Sequence, residues 1–262
     1  GIVKEVEKAI NNGFSEITLL GQNVNSYNYS DKKFPELLDA VAKVNGVKRI
    51  RYTSPHPQDI NEELLEIMAK HDNICNYIHL PLQAGSNRIL KRMNRTYTKE
   101  NFIELAEKIR TFLPGVGIST DIIVGFPGET EEEFNETLEV MRKVKFDSSF
   151  TFKYSPRKGT KAIEYDDQLI EDEKQRRLTK VIELQKINTE LRNQSYVNKV
   201  VDVLIEKKSK RNESKWAGRT DSNKWVIFDR LDFNMNDIVP VLITKSKGIT
   251  LYGEITKKVK VA

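Results

Sequence analysis

Between Ser15 and Tyr154 the chain alternates short apolar runs with stretches of helical spacing, five times over. The runs at 15–20, 47–53, 77–82, 116–124 and 148–154 read as strands. Those at 34–44, 60–70, 86–93, 98–112 and 130–145 read as helices. A strand, a crossover helix and a second strand connect in one hand and make parallel pairs, so this rhythm predicts an α/β body with a parallel sheet. A doubly wound sheet and a barrel both satisfy it. The alternation Val47, Arg49, Arg51 against Ile50 and Tyr52 predicts a strand with one polar face. Thr130-Glu131-Glu132-Glu133 has the spacing of a capping box, Thr98 to Asn101 supplies a cap, and a long helix is predicted from Leu169 to about Gln194. The chain opens on a helix over 1–13 that stops at Asn12-Gly13, as if a first strand had been removed.

Polar residues gather after each strand: Gln22-Asn23, Ser54-Pro55-His56, Gln83-Ala84-Gly85-Ser86, and Gly125-Phe126-Pro127-Gly128-Glu129. The carboxyl ends of parallel strands are where α/β barrels keep their sites. After Gln194 the texture changes. Residues 200–205, 216–219, 225–228, 238–244 and 249–255 read as five short strands, with Lys207 to Asn212 as a turn, and predict a small antiparallel barrel. The expected boundary puts residues 1–195 in the α/β body and 196–262 in the small barrel.

Charge follows that boundary. Residues 196–262 carry 14 basic and 8 acidic side chains, while the first 195 carry 29 and 30. A surplus confined to the tail points to a polyanion partner there. The exposed candidates are Lys207, Lys208, Lys210, Arg211, Arg219 and Lys224, with Trp216 and Trp225 as stacking platforms or barrel core. No apolar run is long enough to span a membrane, and no membrane partner is expected. Cys75 is the only cysteine, so no internal disulfide forms, and a reducing cytoplasm is expected.

Individual residues leave alternatives open. Ser86 is placed to cap the helix after it or to meet a ligand. Asp121 lies inside an apolar run, where a lone carboxylate is costly. It faces either a Lys or Arg partner or a ligand. Gly125 would let a flat ring approach the backbone, and Glu129 reads as a structural residue at a helix start. Arg95, with Lys91 and Arg92, suits a carboxylate or phosphate. His56 sits at a strand end, His79 reads as a hydrogen-bonded core residue, and His71 closes a helix. The three histidines show no metal-ligand spacing. No phosphate loop, Ser-His-Asp order or zinc pattern is present.

Leu19–Tyr27, Arg51–Pro57, His79–Ser86, Leu90–Arg95, Asp121–Phe134 and Phe152–Ala162 together resemble the radical S-adenosylmethionine methylthiotransferases over nearly the whole chain. Lys158 and Lys161 stand where prolines are usual. Gln22-Asn23-Val24-Asn25-Ser26-Tyr27 is similar to the branch that modifies adenosine 37 of tRNA, and residues 196–262 resemble a TRAM domain. The resemblance implies a partial (β/α) radical-SAM-type barrel followed by an RNA-binding β-barrel. It implies methylthiolation of C2 of N6-isopentenyladenosine, with the tRNA anticodon stem-loop as partner. It implies S-adenosylmethionine and two 4Fe-4S clusters in the full-length parent, and a crevice lined by Gln22, Asn23, Gln83, Ser86, Arg95 and Asp121, with Gly125 near the adenine. Relatives acting on threonylcarbamoyladenosine or a ribosomal-protein aspartate, and a non-catalytic RNA-binding protein, are the alternatives. The family's Cys-x-x-x-Cys-x-x-Cys loop and the cysteines of the second cluster are not in this chain. It is therefore expected to be the carboxyl-terminal part of a longer protein, inactive by itself. Reconstituted with iron and sulfide, the 262-residue chain is expected to develop no cluster absorbance; a stable brown chromophore refutes this.

Overall fold

The computed structural model describes residues 1–53 and 55–256; Ser54 and the last six residues of the expected barrel domain lie outside the described residues. The chain packs as two compact units. One gathers Gly1–Ile78, Phe112–Gly117 and the chain from Glu190 on; the other gathers His79–Thr111 and Ile118–Thr189. The first unit thus holds residues 190–195 and the small barrel together with the first strands.

In the first unit, α1 (Ile2–Asn11) ends at Gly13, whose φ of 87° stops the helix. β1 (Glu16–Leu19) pairs in parallel with β4, Glu16 opposite Arg49 through Leu19 opposite Tyr52. Between them lie a two-residue hairpin, β2 (Asn28–Tyr29) and β3 (Lys32–Lys33), and α2 (Phe34–Ala42). Ser30 and Asp31, both at positive φ, make the hairpin turn, which hydrophobic patterning could not reveal because all four strand residues are exposed. β4 (Arg49–Tyr52) is buried at every position. Ile50 and Tyr52 belong to the apolar core, where Tyr52 stacks edge-on against Phe34 and its hydroxyl meets the Met68 sulfur of α3 (Glu62–Lys70). Asn61 caps α3 by accepting the Leu64 N–H at 2.9 Å.

β5 (Tyr77–His79) carries the chain into the second unit. There α4 (Asn87–Arg92) and α5 (Lys99–Phe112) precede β6 (Gly117–Val124). α6 (Glu131–Val144), β7 (Ser148–Lys153) and α7 (Glu171–Gln194) follow. The sheet order is β5-β6-β7, with β6 and β7 parallel from Ser119 opposite Ser148 to Val124 opposite Lys153. Ile118, Ile122 and Val124 are fully buried, as are Phe134 on α6 and Phe146 before β7. Ser119 and Thr120 of β6 are fully buried too, whereas Asp121 and Ile123 are half-buried, and Phe150 and Phe152 of β7 are exposed. Thr130 and Glu133 form the expected capping box of α6. Glu129, one residue earlier, is drawn inward instead. It meets Arg177 of α7 at 2.8 Å with both side chains almost fully buried, and its carboxylate accepts the Gly125 N–H at 2.7 Å. Burial pushes the Glu129 carboxyl up, while the Arg177 hydrogen bond pulls it down.

β8 (Val200–Ser209), β9 (Asn212–Thr220), β10 (Trp225–Asp229), β11 (Ile238–Lys247) and β12 (Thr250–Ile255) close into a barrel in the order β10-β12-β11-β8-β9. The five expected strands are present, and all but the last are longer than hydrophobicity suggested. β8 runs through Lys207 and Lys208, so the tight turn is Lys210-Arg211 alone. Its neighbours are antiparallel, but the closing pair, β10 with β12, is parallel. Val203, Ile205, Trp216, Val226, Phe228, Val241 and Leu251 fill the interior.

Arg49 and Arg51 correct the expectation of a polar outer face on β4. Both are buried, with donors turned to carbonyls of the small barrel and, for Arg51, to Glu16. Arg49 donates to the carbonyls of Arg219 and, at 2.7 Å, Asp202. Arg51 donates to Thr220 at 2.9 Å, to Asp221 at 3.3 Å and to the Glu16 carboxylate at 3.0 Å. Hydrogen bonds from a charged donor contribute ~1.5–3 kcal/mol each. Arg49→Ala is expected to lower unfolding free energy by roughly 3 kcal/mol, read from the urea midpoint; an unchanged midpoint contradicts the anchoring role.

Candidate functional site

In the first unit, the chain leaving β1 turns at Gly21 and presents Gln22 and Asn23 at the surface. Asn23 adopts a φ of 53°. No side-chain partner is seen for either amide among the described residues. Asn25, two residues on, is buried and committed to structure. Its amide donates to the His56 carbonyl at 2.9 Å and its oxygen accepts the His56 N–H at 2.6 Å, pinning the loop after β4. Ser26 donates to the Asp59 carboxylate. Cys75 is 3% exposed, and desolvation pushes its thiol up to about 11 against the pull of Arg51 and Arg49. No group of three or more metal-ligating side chains occurs among the described residues.

In the second unit, Gln83 is knitted to β6: its N–H donates to Asp121 at 2.8 Å and its carbonyl accepts from Ile123 at 2.9 Å, at a φ of 70°. Ser86 is a helix cap. Its hydroxyl accepts the Ile89 N–H at 3.4 Å and donates to Glu133 at 3.0 Å. Burial raises the Glu133 carboxyl, but Arg88, the Thr130 N–H and Ser86 outweigh it and hold it at about 2. Asp121 is partnered neither by Lys nor by Arg. Its carboxylate lies 3.3 Å from His79 Nε2, and His79 Nδ1 lies 2.8 Å from the Ser119 hydroxyl. His79 is hydrogen-bonded as expected but only half-buried, and its ring lies edge-on to Phe150. Arg95 is exposed. Burial pushes the Tyr97 phenol up to about 12, with Arg95 opposing and Asp121 adding to it. Gly125, at φ 69°, is required by packing: a Cβ there would stand 2.5 Å from Lys174 Cγ.

Gln83 and Asp121 are therefore brought together in the second unit, which also holds Arg95; Ser86 is diverted to capping, and Gln22 and Asn23 belong to the first unit. His79 was read as core, and the sequence did not single out Tyr97, Phe150 and Phe152 as site residues. The signal for the last two was the Phe-x-Phe alternation of β7, which puts both rings on the face that carries Asp121.

On the barrel, Lys207, Lys208, Lys210 and Arg211 are exposed. Lys207 lies 4.4 Å from the Trp225 ring centroid, and Lys208 is 3.9 Å from Glu213. Arg219 is half-buried, bonded to Glu206 at 2.5 Å and Asn223 at 2.9 Å, and Lys224 is only 6% exposed. Trp216 is core; Trp225 is half-buried beneath Lys207 and Arg219.

Residues 2–141 match the model of the radical SAM superfamily, and residues 194–256 that of the TRAM domain. The chain belongs to the radical SAM superfamily. It is 46% identical over 256 residues to the tRNA-2-methylthio-N(6)-dimethylallyladenosine synthase of Clostridium tetani, covering 97% of this chain and 56% of that protein. The enzyme of the same name from Carboxydothermus hydrogenoformans is 47% identical, covering 96% of this chain and 58% of that protein. The chain thus spans a little over half the length of these relatives. The solved coproporphyrinogen III oxidase (HemN) of Escherichia coli, a radical SAM enzyme, shares the fold. Its TM-score is 0.52 at 13% identity, over 84% of this chain and 59% of that one.

Glu133 gives a pH test of the second unit. Its carboxyl is held at about 2 against an ordinary 4.5, so its contribution to stability is present above about 4.5 and lost as pH falls towards about 2. Urea unfolding of Glu133→Gln should show a lower midpoint at neutral pH and a shallower decline over that acid range than the parent chain; equal slopes count against the assignment.

Proposed function

We propose that residues 1–195 are the radical SAM core, and 196–262 the RNA-binding TRAM-like barrel, of a cytoplasmic tRNA methylthiotransferase. It adds a methylthio group to C2 of N6-isopentenyladenosine at position 37, gripping the anticodon stem-loop. The observation that carries this reading is identity of 46% sustained over 97% of the chain, through core and barrel alike, to a relative named for that product.

S-adenosylmethionine, when bound, supplies the adenosyl radical precursor and the methyl group. The donor set of the second unit suits it. Asp121, with 30% of its side chain exposed, would accept from ribose hydroxyls, and the exposed Arg95 would pair with the methionine carboxylate. Gln83 and Gly125 would form the backbone wall beside them, while Ser86 would act indirectly, by holding α4. An iron–sulfur cluster does not fit these residues: such clusters are held by several thiolates, and this chain offers one, buried and protonated. No step is derived through a cluster.

Lys207, Lys208, Lys210 and Arg211 would contact phosphates; Arg219 and Lys224, drawn into the barrel, would contribute less. The full-length parent, reconstituted anaerobically, is expected to convert a prenylated stem-loop RNA to its methylthio product by mass spectrometry. Conversion of a threonylcarbamoyladenosine RNA instead would overturn the substrate assignment. Reversal of Lys207, Lys208 and Lys210 to Glu should weaken RNA binding and flatten the log–log salt dependence by about 0.7 per lost contact; unchanged binding excludes this surface.

A further inference from the structure

Shortly after β7, a run of exposed residues carries charge that the fold does not use. Ser155 to Lys161 are all exposed, and they hold Arg157, Lys158 and Lys161 with no acidic residue among them. Among the described residues, none of these three side chains has an ion-pair or aromatic partner, and none is joined to Glu164 or Asp166 further along. Cations nearby in the same unit are answered: Lys153 by Glu171, Arg92 by Asp167 at 2.7 Å and Arg176 by Glu131. The first 195 residues carry 29 basic against 30 acidic side chains. The cluster is therefore a local feature and not a sample of a generally basic surface.

The loop that carries it is firmly built. On the near side, Tyr154 stays with the sheet: its N–H donates to the Val124 carbonyl at 2.8 Å, and its ring stands edge-on to Phe126 at 5.0 Å. On the far side, Tyr165 packs on Phe126 at 6.3 Å and beneath the Arg92 guanidinium at 4.4 Å. The Asp167 carbonyl accepts the Gly128 N–H at 2.8 Å, and the Gln168 amide donates to the carbonyls of Ala162 and Tyr165 at 2.9 and 3.0 Å. Between these anchors Pro156 fixes one φ and Gly159 takes a φ of 86°. Thr160 turns both its N–H and its hydroxyl back to the Arg157 carbonyl, at 3.1 and 2.8 Å. The result is a closed turn with a cation at its start, at its corner and just past its end. A loop already held in shape loses little freedom when it binds. Because β6 and β7 are parallel, the turn rises from the same carboxyl end of the sheet as Gly125, the end where α/β folds hold their ligands.

We infer that Arg157, Lys158 and Lys161 form a second phosphate-binding surface, on the core itself, for the backbone of the substrate RNA. This deepens the function proposed above and rests on it. Cations on the barrel can retain an RNA, but the base is modified on the core, and the strand has to be held there as well. Three donor-only side chains suit phosphate oxygens. Residues 155–161 hold no aromatic ring, so the turn grips backbone without stacking on bases, and its contribution is independent of sequence.

The test measures binding of an anticodon stem-loop RNA to the full-length protein by fluorescence anisotropy across a salt series. Replacing Arg157, Lys158 and Lys161 together by Gln should weaken binding at least about tenfold at about 0.1 M salt and reduce the log–log salt slope by about 2, at about 0.7 per contact. Lys158→Arg, which keeps the charge, should leave the slope unchanged. A control variant with Arg142, Lys143 and Lys186, three exposed cations elsewhere in the same unit, replaced by Gln should bind within about twofold of the parent protein. The side chains changed are exposed, and an unchanged thermal midpoint checks folding. An unaltered affinity and slope in the triple variant overturn the inference, and so does an equal loss in the control, which would assign the effect to net charge. Loss of binding to an acidic protein partner with RNA affinity intact overturns it too, and gives the turn to that partner. Each of these leaves the proposed reaction standing if the parent protein still forms methylthio product; absence of product sinks the reaction, whatever the salt slopes show.

Discussion

Several charges in this chain leave water with more than one hydrogen-bond partner answering them, and such groups recur in both compact units. In the first, the guanidiniums of Arg49 and Arg51 are 4% and 7% exposed and end on backbone carbonyls of the small barrel and on Glu16. Desolvation pulls the Arg49 pKa down, yet arginine stays charged far above neutral pH, so its hydrogen bonds stay intact. Glu16 also lies 3.6 Å from Arg219, which in turn is bonded to Glu206. In the second, Glu129 and Arg177 close on each other, with Gly125 and the backbone of Glu129 completing the set. Removing one partner from such a group leaves the other buried and unpaired, which costs far more than the pair contributes when complete.

The same condition explains why some apparent ligand residues are not available. Ser86, Asn25 and Glu129 all belong to post-strand polar clusters, and all three are consumed internally: a helix cap, a loop staple and a buried ion pair. Asp121 differs. Its partner is a neutral-or-charged imidazole on the neighbouring strand, and 30% of its side chain still faces solvent. It lies opposite Phe150 in register, beside two exposed phenylalanines. Polar groups that are answered hold the fold; groups only partly answered, next to apolar surface, are where a ligand gains most on arrival.

Much of this was legible beforehand. The βα rhythm, the capping box at Thr130, the stop at Gly13 and the five barrel strands all follow from local spacing, since each is decided by residues within a turn or a strand of one another. The radical SAM core and TRAM barrel were legible as a resemblance and are matched by family models. The hairpin at 28–33 left no hydrophobic signal. The burial of Arg49 and Arg51 ran against their type, because their acceptors come from residues about 150 to 170 positions away. Lys224 was read as surface for the same reason, while its ammonium lies over the Tyr196 ring.

What the linear chain determined by itself was element type, order and the segregation of positive charge into the tail, because periodicity, capping and composition act locally. The tertiary structure alone decided which polar groups were spent and which remained. A carboxylate or guanidinium is silent about its partner until distant strands meet. It was the pairing of β6 with β7, not any motif, that set Asp121 beside Phe150.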